Sequence, residues 1–88
     1  MQKPQDIQIN KYWSIKFYDD AHTPVLVVYS EYGREVDNAT WHCFLEIGMT
    51  SGSEEVQAPE SVYNKIKSYE NLMCAWENEM RENHPDYQ

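Results

Sequence analysis

The stretch Thr40 to Met49, TWHCFLEIGM, sets a histidine beside a cysteine. A Cys–His pair can support nucleophilic catalysis if the imidazole reaches the thiol and a cation or helix N-terminus favours the thiolate. Two more histidines, His22 and His84, and a second cysteine, Cys74, complete the set of soft ligands and nucleophiles. Their spacing argues against both chemistries. No Cys-x-x-Cys or His-x-x-x-His pattern occurs, so no metal site is expected. Cys74 has Glu70 and Glu77 at helical spacing, and neighbouring negative charge disfavours a thiolate. The three glycines are scattered, so no phosphate-cradling loop forms. A glycosidase-type acid pair needs a cleft, and a small sheet offers little room for one. The chain therefore reads as a non-enzyme without a cofactor. Two cysteines are also too few for a disulfide scaffold, and both are expected reduced.

Whether His42 and Cys43 can act together depends on the element that carries them. Trp41, Cys43, Leu45, Ile47 and Met49 alternate with Thr40, His42, Phe44, Glu46 and Gly48. A period of two marks a strand, whose neighbours point to opposite faces. On this reading Cys43 enters the core, while His42 and Phe44 look outward with Glu46.

The same period runs through Ile7, Ile9, Trp13, Ile15 and Phe17, which places a strand at about 11–18. Asp19 to Pro24 reads as a turn, because Asp bonds its own backbone there and Pro cannot join a ladder. Val25-Leu26-Val27-Val28-Tyr29 is apolar on both faces and reads as the central strand. Glu31 to Asn38 reads as a polar connection. Pro59 and Glu60 suit a helix start, and Val62, Ile66, Tyr69, Met73, Trp76 and Met80 form one stripe at helical spacing.

The expected fold is α+β: a three-stranded antiparallel meander (β-β-β-α) covered on one face by a long C-terminal helix. A single domain spans 1–88, with a loose N-terminus at 1–6, the sheet at 7–49, an acidic loop at 50–58, the helix at 59–82 and a tail at 83–88. The core should combine Trp13, Ile15, Phe17, Cys43, Leu45 and Ile47 with the helix stripe.

Fifteen acids face seven bases, a net charge of −8. The segment 17–60 holds nine of those acids and a single base, Arg34, so the excess sits in the middle of the chain. Such a charge repels nucleic acid and anionic membranes and favours a basic protein partner. No wholly apolar stretch is longer than Val25 to Tyr29, far short of about 18 residues, and a cytoplasmic location is expected. The sequon Asn38-Ala39-Thr40 then has no role.

In the expected meander the turn at 19–24 and the loop at 50–58 share one end. Asp19, Asp20, Glu54, Glu55 and Glu60 would meet there with no base among them. Glu31, Glu35 and Asp37 form a second group beside Arg34. Tyr12, Tyr18 and Phe44 would give the outer sheet face its aromatic anchors.

In size and charge the chain resembles the broad class of phage-encoded anti-CRISPR and anti-restriction proteins, a likeness of composition that covers no motif. The expected function is a small acidic inhibitor that occupies a basic surface of a nucleic-acid-processing enzyme. The alternatives are an immunity protein or antitoxin for a toxin nuclease, and an accessory subunit that forms a homodimer through the outer sheet face.

Overall fold

A computed structural model describes residues 3–18, 23–48 and 58–83. Four strands form one antiparallel sheet in the order β1-β2-β3-β4: β1 (Ile7–Gln8), β2 (Trp13–Lys16), β3 (Val25–Tyr29) and β4 (Glu35–Thr40). Three helices follow, α1 (Trp41–Ile47), α2 (Glu60–Lys67) and α3 (Glu70–Asn83). The α+β class holds. Among the described residues the sheet has four strands rather than three, and the covering layer is three helices rather than one.

β2 and β3 form because Trp13, Ile15, Leu26 and Val28 alternate toward one face, in register Trp13↔Val28 and Ile15↔Leu26. β1 adds Ile7 opposite Ile15. The β1–β2 ladder is extended by a side chain, since the Phe17 N–H donates to Asp6 Oδ1 at 3.0 Å. β4 lies in the segment expected to be a polar connection. Its own sequence, EVDNAT, has little strand propensity, and only Ala39 is buried. It forms because it completes the ladder of β3, in register Val25↔Thr40 to Val28↔Asp37. A bulge at Val28/Tyr29 leaves Val36 as the extra residue before Tyr29↔Glu35.

The largest correction concerns TWHCFLEIGM. Residues 41–47 are helix, not strand. Trp41, Phe44 and Leu45 also fall at helical spacing, and that period wins because it aims Trp41 and Phe44 into the core together. Thr40 sits at the N-cap in extended conformation. Gly48 ends the helix at φ 74°, donating its N–H to Phe44 O at 2.7 Å, and that φ favours glycine.

The expected helix at 59–82 is two helices with a tight joint. Ser68 Oγ donates to the Lys65 carbonyl at 2.5 Å, and the Tyr69 N–H bonds to Ile66 O at 3.0 Å. These i→i−3 contacts tighten the turn and divide α2 from α3.

The core lies between one sheet face and the helices. It holds Trp13, Ile15, Phe17, Leu26, Val28, Ala39, Trp41, Phe44, Val62, Ile66, Met73 and Trp76. The helix stripe is in place, with Tyr69 and Met80 half-buried at its margin. Cys43 is half-buried and Leu45 partly buried beside the core rather than within it. A tilted contact of Phe44 on Trp13 (centroids 5.5 Å) and an edge contact of Phe17 on Trp76 (6.2 Å) join the layers. Among the described residues no helix is long and apolar enough to cross a membrane.

Candidate protein-binding surface

The central strand divides its residues between two faces. Leu26 and Val28 enter the core, while Val25, Val27 and Tyr29 face outward beside Ser14 and Lys16 of β2. The outer face is more polar than its sequence suggests, because it covers its own apolar centre. Val27 is 0% exposed although it lies outside the main core. Ser14 Oγ donates to Tyr29 Oη at 3.2 Å, and the Lys16 ammonium lies 5.6 Å from the centre of the Tyr29 ring. A hydrogen bond to Tyr29 holds the Lys16 pKa above its ordinary 10.5, against the opposing effect of burial. Burial, followed by the nearby Glu35 carboxylate, raises Tyr18 above its ordinary 10.0.

Around this platform stand the exposed aromatics. Tyr12 is 42% and Tyr18 37% exposed, as expected of outer-face residues. Tyr12 is adjacent to Tyr29, which donates its N–H to Tyr12 O at 2.8 Å. Phe44 does not join them. It is 0% exposed, packed between Trp13 and Tyr63 (centroids 5.5 and 5.8 Å), because 41–47 is helical. It is a core residue, and no partner of the folded chain can use it as an anchor.

The acidic residues divide. Asp19, Asp20, Glu54 and Glu55 lie outside the described residues. Glu60 is exposed in the first turn of α2. Bringing residues 19–24 and 50–58 to one end of a meander requires a strand through 41–47, and those residues are helical. Trp41 starts the helix beside Pro24, its N–H 3.2 Å from Pro24 O, and Phe44 then meets Trp13 of β2. The Ala58 N–H donates to Gly48 O at 3.1 Å, so the residues on either side of 49–57 are adjacent.

The second group is in place. Glu31 and Glu35 are exposed on the β3–β4 hairpin beside Arg34, and Asp37 follows on β4. Ser30 Oγ accepts from the N–H groups of Tyr32 (3.3 Å) and Arg34 (3.2 Å), and Gly33 turns at φ 82°. This turn presents Tyr32, 89% exposed, with Val36 nearby. Sequence reasoning passed over Tyr32. The signal was a lone aromatic in an otherwise polar turn.

Glu70 and Glu77, the two acids at helical spacing from Cys74, differ in setting. Glu70 is exposed, but Glu77 is buried on α3, with His42 Nε2 2.5 Å from its Oε2 and Arg81 Nη2 3.9 Å from its Oε1. His42 is thus an exposed residue of α1 that reaches α3 and stacks on Trp41 (centroids 3.8 Å). It does not share a sheet face with Glu46. Cys74 is exposed on α3 and receives a contact from Asn78 Nδ2 at 3.6 Å.

Among the described residues there is no cavity and no group of three or more His, Cys, Asp or Glu placed to hold a metal ion. What the surface offers is contact: exposed tyrosines, an acidic hairpin and a sheet edge. No protein-family model, curated protein or solved structure matches the chain.

Proposed function

We propose that this chain is a small acidic inhibitor that seats on a basic surface of a nucleic-acid-processing enzyme or complex. The observation that carries the reading is the charge, −8 over 88 residues. All seven bases and ten of the fifteen acids fall among the described residues, so the segments outside them contain five acids and no base. A chain with this charge approaches cationic surfaces fast and loses that advantage in salt. The exposed Tyr12, Tyr18 and Tyr32 support the reading as anchors of the residue type that carries much of the energy at protein interfaces.

The test is capture from a bacterial lysate at low and high salt, followed by assay of the captured enzyme. Capture at low salt only of a nucleic-acid enzyme that loses activity on adding the chain supports the proposal. Reversing Asp19, Asp20, Glu54 and Glu55 to Lys should abolish inhibition, with circular dichroism checking that the variant is folded. Undiminished inhibition by that variant refutes these four acids as the contact.

A second reading rests on Tyr12 and Tyr18 alone: an accessory subunit that dimerises through the outer sheet face. Sedimentation at several concentrations separates the two. A fixed dimer that dissociates when both tyrosines become Ser favours the accessory role.

A further inference from the structure

We propose that His42 is a nucleophile that accepts an acyl group at Nδ1 from a neutral ester or anhydride, with Glu77 as the residue that positions it. This role is separate from inhibition and does not rest on it.

The site starts from a carboxylate withdrawn from water. The Glu77 side chain is 8% exposed, on the same helix as the buried Met73 and Trp76. A buried carboxylate needs donors. His42 Nε2 lies 2.5 Å from Oε2, and Arg81 Nη2 lies 3.9 Å from Oε1. An ionised carboxylate can only accept, so in the neutral imidazole the proton sits on Nε2 and the lone pair on Nδ1. Nδ1 makes no hydrogen bond among the described residues, and the His42 side chain is 58% exposed.

A second contact fixes the ring. It stacks on Trp41 with centroids 3.8 Å apart and planes at 34°, and Trp41 is itself held in the core at 5% exposure. Two anchored groups, one on α1 and one on α3, thus hold an imidazole whose remaining nitrogen is left for an incoming group. A carboxylate in this position sets the tautomer, orients the ring and stabilises the positive charge that forms on it during attack.

The surrounding charge selects the donor. Glu77 faces the ring, Glu46 is exposed one turn further along α1, and the whole chain carries −8. An anionic phosphoryl donor is repelled, and a neutral carbonyl compound is not. In the step, the Nδ1 lone pair forms a bond to the carbonyl carbon and the bond from that carbon to the leaving oxygen breaks. The Nε2 proton passes to Glu77 and then, through water, to the leaving oxygen. The product is a neutral acyl-imidazole and an alcohol or acid.

The probe is diethyl pyrocarbonate, a neutral anhydride, added to the full chain at about pH 8, above the range in which histidine normally changes charge. Acylation of the peptide that carries His42 is followed over time by mass spectrometry, with N-acetylhistidine in the same tube as reference. The expected result is that His42 reacts faster than the reference, and that Glu77→Gln slows it by about tenfold while tryptophan fluorescence stays native. A contact that merely joins α1 to α3 gives the opposite: His42 reacts more slowly than the reference, and Glu77→Gln speeds it by releasing the ring. Either of those outcomes, or equal rates in parent and variant, overturns the proposal. If Glu77→Gln does not fold, the parent chain decides alone: NMR that places the acyl group on Nε2, or a His42 rate at or below the reference, counts equally against it.

Discussion

Replacing Phe44 by Ala distinguishes the helical core position from the outer strand face that its sequence first suggests. Phe44 is 0% exposed and its ring meets Trp13 and Tyr63. Transfer of such a side chain out of water contributes about 1.5–3 kcal/mol, and the cavity left by its removal brings the cost of Phe→Ala to about 3–5 kcal/mol. A chain of 88 residues has a total stability on the order of 4–13 kcal/mol, so the variant loses a large fraction of it. The assay is urea unfolding followed by tryptophan fluorescence. It reports on the core directly, because Trp13, Trp41 and Trp76 are all buried in the native chain. With a urea slope of about 1–3 kcal/mol per molar, the midpoint falls by at least about 1 M. Phe44→Leu, which keeps most of the volume, should cost less than about 1.5 kcal/mol and serves if the Ala variant does not fold. A Phe44→Ala variant within about 0.5 kcal/mol of the parent would place the side chain in solvent and refute the helical reading of 41–47.

Tyr29→Phe removes the hydroxyl that Ser14 and Lys16 share, leaves the buried Ser14 Oγ without that partner and should cost about 1–3 kcal/mol in the same assay. Lys16 and Tyr18 both have folded-state pKa values above their ordinary 10.5 and 10.0, so the folded chain retains protons that the unfolded chain releases. Stability is therefore at its plateau below pH 10 and declines as pH rises through the folded-state values; urea midpoints across the alkaline range check this, and Tyr18→Phe should make the decline shallower. Gly48→Ala puts a side chain at φ 74° with no atom within 4 Å of the added carbon, so its cost of about 1 kcal/mol is backbone strain alone, and Gly48→Asn should recover part of it in thermal melts. Cys74 is exposed and Cys43 half-buried, so a thiol reagent should label the native chain at Cys74 first and at Cys43 more slowly, read by mass spectrometry of the peptides.

The α+β class, the two central strands and the core stripe of the helices were legible in the sequence, because each rests on a period that one reading alone explains. Trp13, Ile15 and Phe17 alternate and cannot share one helix face, while Val62, Ile66, Met73 and Trp76 cannot share one strand face. Residues 41–47 fit both periods, and only tertiary packing decided between them: as a helix the segment buries Trp41 and Phe44 together, while Gly48 closes it. β4 had no local signal to read, since its strand character comes from hydrogen bonds to β3 rather than from EVDNAT itself. The candidate surface divides the same way. Sequence alone determined the charge of −8 and the exposure of Tyr12 and Tyr18, which follows from alternation with buried neighbours. Burial of Phe44 and the reach of His42 to Glu77 needed the tertiary structure, because each depends on which distant element packs against a given side.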